Sequence, residues 1–201
     1  DDKQHSYVGD IRRAGVQLLE LVNDILDVTR LEANALGLDD QDFDLRALAE
    51  DSVKLIQPRA DEARVALSVA CAIEEPHLRA DQRRVRQVLL NLLSNAIKFT
   101  PGGGKVALSI AATPRGGIAV AVADTGIGIA AKDIPTALAE FGQVDSTLTR
   151  KYQGSGLGLP LSKRLMELHD GTLAIDSEPG KGTTVTVTFP PERVVNLSRA
   201  A

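Results

Sequence analysis

Apolar residues near the start of the chain recur at the heptad spacing of a long amphipathic helix. The positions on this stripe are Ile11, Ala14, Leu18, Leu21, Ile25 and Val28. A stripe of this kind has to be covered, either by the domain that follows it or by another helix. We predict one helix over about residues 6–33 and favour a role for it in dimerisation.

The polar residues 34–42 predict a linker, and beyond it helical and strand-like patterns alternate. Helical spacing occurs at residues 45–63, 81–97 and 157–168. Strand patterns occur at residues 65–73, 77–80, 106–112, 118–123, 172–177 and 183–189. Asp81 is suited to cap the second of these helices. Three helices against one mixed sheet form a two-layer α/β sandwich, which is the fold class that we predict.

Two segments lack any period. Residues 139–154 are polar, which predicts a mobile loop, and the tail after Pro191 is expected to fray. The domain boundaries that follow are 1–34 for the helix, 35–42 for the linker, 43–191 for the main domain and 192–201 for the tail.

Composition narrows the class of protein. The 201 residues are 43% apolar but only 3% aromatic without Trp, so the core must consist mainly of Leu, Val, Ile and Ala. A net charge of -4 with dispersed basic residues argues against a nucleic-acid surface. The single cysteine, Cys71, cannot form an internal disulfide and is expected to be a small buried hydrophobe in a reducing compartment. The sequence contains no signal peptide and no membrane-spanning apolar run. We expect a cytoplasmic domain and leave membrane anchoring of the parent open.

Two glycine clusters carry the candidate chemistry. Asp124-Thr125-Gly126-Ile127-Gly128 ends an apolar run, and Gly154-Ser155-Gly156-Leu157-Gly158 opens a predicted helix. A buried carboxylate can accept from an adenine amine, glycine allows a ligand to approach the backbone, and a helix start offers free N–H groups to phosphates. Either cluster alone is also typical of an ordinary turn.

Two more segments complete a recognisable order. Asn91-Leu92-Leu93-Ser94-Asn95-Ala96-Ile97-Lys98-Phe99-Thr100-Pro101 precedes the two clusters, and Gly180-Lys181-Gly182-Thr183-Thr184 follows them. Over about residues 8–189 the chain resembles sensor histidine kinases, with their N box and glycine boxes, and more weakly the alphaproteobacterial cell-cycle members. The resemblance implies a Bergerat ATP-binding fold with ATP and Mg²⁺ as ligands. Residues 23–33 resemble the end of the second helix of the dimerisation and phosphotransfer hairpin, which implies a homodimer of the full protein.

Asn91 and Asn95 stand four residues apart and share one helix face. Asparagine is a poor helix former, so the pair is either structural or functional. The resemblance implies that Asn95 holds Mg²⁺, a hard cation suited to an amide oxygen, and that Asn91 faces the terminal phosphate. Lys98 would reach a phosphate or the ribose, or is a solvated helix-end lysine. Phe99 would stack on adenine, or belongs to the core.

Asp124 would bind the adenine amine, with Thr183 sharing a water. The alternatives are a turn aspartate and a residue chosen for strand propensity. Gly126 and Gly128 would clear space beside the base and sugar. The other nucleotide-binding candidates lie in the loop that would fold over the triphosphate, namely Arg150, Lys151, Gly154, Gly156, Leu157 and Gly158. The two basic residues are equally consistent with solvated charges.

Phe141 resembles the F box, although Leu138 and Glu140 depart from the usual pattern. The phosphoacceptor motif of the family, H-E/D-x-R-T-P, is matched by none of the histidines, which are His5, His77 and His169. His169 ends a helix, where a cation is favourable. No group of His, Cys and carboxylate residues has the spacing of a metal site.

The resulting hypothesis is the ATP-binding catalytic portion of a sensor histidine kinase. It would donate the γ-phosphoryl group of ATP to a histidine outside this chain, for relay to a response-regulator receiver domain. An ATP hydrolase of the same superfamily is disfavoured, because those enzymes carry a Glu where Asn91 stands and Asn cannot act as a general base. A nucleotide-sensing pseudokinase is the other alternative, and the complete glycine boxes argue against it.

Overall fold

The computed structural model describes residues 37–142 and 156–195, and in the N-terminal segment the single positions 7, 15, 18, 19, 22, 25–27 and 29. The chain divides into two compact units, Asp1–Gly37 and Leu38–Ala201. The described positions of the first unit before Gly37 are all helical. Its exposed large apolar side chains are Tyr7, Leu18, Leu19, Val22, Ile25 and Leu26. This is the property expected of an amphipathic helix whose stripe packs against another helix.

The second unit is built on a five-stranded mixed sheet with the order β2-β4-β5-β7-β6. In chain order these strands are β2 (Ala66–Cys71), β4 (Lys105–Ala112), β5 (Ile118–Asp124), β6 (Thr172–Glu178) and β7 (Gly182–Phe189). The pair β2 and β4 is parallel, and the remaining neighbours are antiparallel.

Three helices cover one face of this sheet, namely α1 (Leu45–Ala63), α2 (Gln82–Phe99) and α4 (Gly158–Leu168). A further single-turn helix, α3 (Ile134–Ala137), has no buried residue. Helix α2 begins where Asp81 accepts hydrogen bonds from the N–H groups of Arg83 and Arg84, as predicted for an N-cap. The buried core is mostly Leu, Val and Ile, with Phe189 the largest fully buried side chain. The predicted two-layer α/β fold is therefore confirmed, and none of the described helices is long and apolar enough to cross a membrane.

A second, three-stranded sheet was not predicted. It has the antiparallel order β1-β3-β8 and consists of β1 (Gln41–Asp44), β3 (His77–Ala80) and β8 (Val194–Val195). Strand β1 therefore starts inside the predicted linker. The expectation that the tail frays after Pro191 is wrong through Val195, because Arg193 is held there. Its Nη1 lies 2.8 Å from a carboxylate oxygen of Asp40, and its Nε donates to the His169 carbonyl at 2.8 Å.

The expectation that Cys71 is buried is wrong. The side chain is only partly covered, because β2 is an edge strand of the larger sheet, where even the less exposed of its alternating residues are not fully buried. Its thiol makes a weak contact with the Ile73 carbonyl oxygen at 3.3 Å.

The expectation of a cationic His169 is also wrong. The ring is 1% exposed, its Nδ1–H donates to the Leu165 carbonyl at 2.7 Å, and its Nε2 accepts from the Asp81 N–H at 3.2 Å. Only the neutral ring can make both bonds. Burial lowers the pKa of His169, and among its charged neighbours Arg193 acts in the same direction while Asp40 and Asp81 oppose it. His169 thus joins the end of α4 to the start of α2.

Candidate nucleotide-binding site

A row of three polar residues crosses the larger sheet at the end of its helix-covered face. Asp124 on β5 pairs with Thr183 on β7, and Thr183 pairs with Ser177 on β6. Directly paired residues place their side chains on the same face of a sheet. Val122 and Val185, two residues away from this row, are buried on that face. The row therefore marks the point where the apolar core gives way to polar groups.

Asp124 is fixed by the backbone around it. Its Oδ1 accepts from the Gly126 N–H at 2.8 Å and from the Thr183 N–H at 3.2 Å. Within the described part of the chain, Oδ2 has no hydrogen-bond partner, so it is available to a ligand. Burial raises the pKa of the Asp124 carboxyl above its ordinary value, and the bonds from Gly126 and Thr183 oppose that shift. The turn interpretation and the binding interpretation are thus compatible, since each uses a different oxygen.

The glycines after Asp124 are required by the chain itself. A Cβ on Gly126 would overlap the Phe99 carbonyl oxygen and lie 2.6 Å from Asp124 Oδ1. Gly128 has a φ of +68° and would carry its Cβ into the Glu178 carbonyl. Both positions therefore need glycine so that the loop can approach α2 and the β6–β7 turn. Their predicted role beside a base and sugar stays a prediction.

The two asparagines of α2 lie against the start of α4. Asn91 Nδ2 donates to the Gly158 carbonyl at 3.4 Å, and a Cβ on Gly158 would stand 3.7 Å from Asn95 Nδ2. The N-cap of α4, Leu157, provides no side-chain hydrogen bond to the helix. Within the described residues no side chain caps this helix, and its first turn offers the N–H groups of Gly158 and Leu159, since Pro160 has none. An N-terminus of this kind favours anions.

Lys98 and Phe99 end the same helix and are both half-buried. The Lys98 Nζ lies 4.8 Å from the centroid of the Phe99 ring, within the range of a cation–π contact. Burial lowers the pKa of Lys98 below its ordinary value. The Phe99 carbonyl accepts from the Ile127 N–H at 3.1 Å, which ties this helix end to the loop after Asp124.

The candidate residues Asn91, Asn95 and Phe99 thus form a strip along α2. Asn91, Asn95 and Phe99 stand one turn apart in succession, and the eight helical steps from the first to the last span about 12 Å. The helix N-terminus of α4 adjoins the first two residues, and Asp124 with Gly126 adjoins the third. An elongated ligand with an anionic end and an amine-bearing end fits this order.

Some of the remaining predicted residues lie outside the described ranges and others lie inside them. Arg150, Lys151 and Gly154 lie outside the described residues, as does most of the predicted mobile loop. Leu157 is fully buried, so only its backbone can face a ligand, and Gly156 adopts a φ of +70° beside the Phe141 backbone. Phe141 itself is 61% exposed.

Two of the three histidines lie within the described residues. His77 is half-buried in β3 and His169 is buried, while His5 lies outside the described residues. In the described ranges, no three His, Cys, Asp or Glu side chains are grouped so as to hold a metal ion. The amide of Asn95 beside the anion-favouring start of α4 fits a Mg²⁺ ion that is carried by the phosphates of a nucleotide.

Sequence reasoning missed Ser177 and Ser162. Ser162 Oγ donates to the Gly158 carbonyl at 2.8 Å, and so secures the first turn of α4 beside Asn91. Ser177 lies 2.9 Å from the Thr183 hydroxyl. The helical spacing from Gly158 to Ser162 could have indicated the first contact, whereas the second depends on strand register.

Comparison with known proteins places this geometry in a family. A family model described as histidine kinase-, DNA gyrase B-, and HSP90-like ATPase matches residues 80–193. The chain is 45% identical over 193 residues to the non-motile and phage-resistance protein of Caulobacter vibrioides, covering 94% of this chain and 23% of that protein. It is 39% identical over 203 residues to the cell-division control histidine kinase PdhS of Brucella abortus, covering 97% and 20%.

The fold has a close counterpart among solved structures. The crystal structure of full-length ShkA in complex with AMPPNP matches with a TM-score of 0.82 at 34% identity, covering 96% of this chain and 40% of that one. The chain spans only about a fifth of the length of the two curated relatives.

Proposed function

The chain belongs to the histidine kinase-, DNA gyrase B-, and HSP90-like ATPase family as a histidine kinase catalytic domain, and we propose that it binds Mg·ATP along α2 and donates the γ-phosphoryl group to a histidine. The observation that carries this proposal is the meeting of Asn91 and Asn95 with the uncapped start of α4. It brings two side-chain amides and the N–H groups of a helix start to one place, which suits phosphates and their cation.

The proposed roles of the residues are those that the family implies for these positions. Asp124 accepts from the adenine amine through Oδ2, and Phe99 flanks the base. Asn95 holds the Mg²⁺ ion, which would neutralise the developing charge on the phosphates. Asn91 and the first turn of α4 face the terminal phosphate, and Lys98 reaches a phosphate or the ribose. Arg150, Lys151 and Gly154 are proposed to complete the site.

Transfer is favoured over hydrolysis by the chemistry at position 91. Hydrolysis needs a group that takes a proton from water, and the amide of Asn91 cannot do so at neutral pH. Among the other groups of the strip, Asn95 is an amide and Lys98 a cation, so neither is suited to the task.

The rest of the reaction is proposed to need partners. The histidines that can be placed, His77 and His169, are held in the body of the catalytic unit, and His169 uses both ring nitrogens in hydrogen bonds. None of the three histidines, His5 included, stands in the acceptor motif of the family. We therefore place the acceptor histidine outside this chain, on a hairpin whose second helix is the first unit. That hairpin would dimerise the full protein, and a response-regulator receiver domain would take the phosphoryl group.

Calorimetric titration with ATP, combined with a phosphate-release assay, tests this function. We expect binding that requires Mg²⁺ and is lost in Asn95→Ala, with no phosphate release above the spontaneous rate. Sustained release of phosphate would favour the hydrolase alternative. Equal binding with and without Mg²⁺ would remove the role of Asn95.

A further inference from the structure

The Ser177 hydroxyl stands at the centre of a hydrogen-bond network beside Asp124. Its Oγ lies 2.7 Å from the Ile129 N–H nitrogen, 3.0 Å from the Gly182 carbonyl oxygen and 2.9 Å from Thr183 Oγ1. Ser177 pairs with Thr183 across the sheet, and Thr183 pairs in turn with Asp124. The hydroxyl therefore acts on the carboxylate's immediate neighbour.

The number of protons available fixes the direction of each bond. A backbone N–H can only donate and a backbone carbonyl can only accept, while a serine hydroxyl has one proton and two lone pairs. Ser177 therefore accepts from the Ile129 N–H and donates its only proton to the Gly182 carbonyl. Its remaining contact, with Thr183, can form only if the Thr183 hydroxyl donates. All three bonds are satisfied together in this one arrangement.

The consequence concerns what Thr183 has left. Because the Thr183 hydroxyl donates its proton to Ser177, its oxygen can only accept hydrogen bonds from a ligand. Asp124, when ionised, is also an acceptor without a proton. The neighbouring side chains Asp124 and Thr183 thus present acceptors and no donor at this end of the site.

We propose that Ser177 is a positioning residue that sets base specificity, by holding the Thr183 hydroxyl in the orientation in which it can only accept. The inference rests on the proposed function, since it deepens the adenine end of the same site. Adenine offers an amine at the position where hypoxanthine and guanine offer a carbonyl. A pair of acceptors favours the amine, and rejects the carbonyl because oxygen would face oxygen.

A purely structural role for Ser177 predicts something different. The bonds to Ile129 and Gly182 link the loop after Asp124 to the β6–β7 turn, so their loss alone would weaken the fold and all nucleotides equally. The ratio of affinities for ATP and inosine triphosphate separates the two roles, because the two ligands carry the same ribose and triphosphate.

The experiment measures that ratio by calorimetry for four variants. In Ser177→Ala the Thr183 hydroxyl is free to turn and donate, and we expect the preference for ATP over inosine triphosphate to fall by about fivefold to tenfold, the worth of one neutral hydrogen bond. Ser177→Thr keeps the hydroxyl and should keep the preference. Ser109→Ala removes a serine hydroxyl from an exposed position on β4 and should change nothing.

The fourth variant, Thr183→Val, keeps the shape of the side chain and leaves the Ser177 anchor to Ile129 and Gly182 intact. It should lose the preference to the same extent, and it decides the question if Ser177→Ala does not fold. An unchanged ratio in Thr183→Val, or in a folded Ser177→Ala, would overturn the inference. A wild-type chain that binds neither nucleotide would instead overturn the proposed function, so the two failures are distinct.

Discussion

Replacing Asp124 by Asn should reverse the base preference of the site while leaving the fold intact. The Asp124 carboxylate uses Oδ1 for two backbone N–H groups, at 2.8 Å from Gly126 and 3.2 Å from Thr183. An amide oxygen can accept the same two bonds, so the cost to folding should be about 1 kcal/mol or less. The amide nitrogen then takes the place of Oδ2 and offers protons where the adenine amine also offers protons.

The magnitude follows from the bond that is lost. A hydrogen bond to a charged group contributes about 1.5–3 kcal/mol, so the Kd for ATP should rise about 10- to 150-fold in Asp124→Asn. The affinity for GTP should rise, because a carbonyl oxygen can now accept from the amide. The ratio between the two nucleotides should therefore shift by about 100-fold or more.

The assay is calorimetric titration of both nucleotides, with unfolding in urea as the check on folding. Asp176→Asn is the matched control, because it is the same substitution at an exposed position on β6, two strands away from β5. It should leave both affinities unchanged. If Asp124→Asn binds ATP and GTP in the wild-type ratio, the carboxylate does not contact the base and the adenine end of the site is misplaced.

Three further predictions concern pH and packing. Burial raises the pKa of Asp124, and the ionised form binds the amine. ATP affinity should therefore be full above that pKa and fall as the pH drops through it, starting above the ordinary aspartate value of about 3.9. Titrations of ATP at several pH values should show a smaller pH dependence in Asp124→Asn. Gly126→Ala should cost about 1–3 kcal/mol in urea unfolding because its Cβ meets Phe99 and Asp124, whereas Gly37→Ala, with open space around it, should be neutral. The lowered pKa of His169 favours its neutral form. Its contribution to stability should therefore be complete above the unfolded-state pKa of about 6.5 and decline as the pH falls below it. His169→Gln should lose this pH dependence of the free energy of unfolding, and an unchanged dependence would mean that another group titrates.

Elements with a strong local pattern could be predicted from the sequence. Helix α2 could be predicted because its apolar residues recur regularly and Asp81 is a clear N-cap. The predicted end, residue 97, lies two residues before the observed end at Phe99. Strand β8 was missed because Val194–Val195 is only two residues long and pairs with His77 and Leu78, more than a hundred positions earlier. Nothing in a two-residue segment identifies so distant a partner.

In the site, too, some residues could be predicted from the sequence and others could not. Asp124 and the glycines stand out by type and spacing, and the structure places Asn91 beside Gly158 as a shared site requires. Ser177 looks like any serine in an alternating strand, and a slip of one residue would turn it to the other face. His169 has an ordinary helix-end context in the sequence. Its burial depends on three segments that meet only in the fold.

The most direct test of the account is transfer of phosphate from radiolabelled ATP. The chain of residues 1–201 and a longer chain that carries the complete hairpin would each be incubated with Mg·ATP, and phosphate that is acid-labile and base-stable would be measured. We expect both proteins to bind ATP, and only the longer one to acquire phosphohistidine. Asn95→Ala in the longer protein should abolish the label. Strong phosphohistidine on residues 1–201 alone would contradict the placement of the acceptor, and binding without any label on the longer protein would contradict kinase function itself.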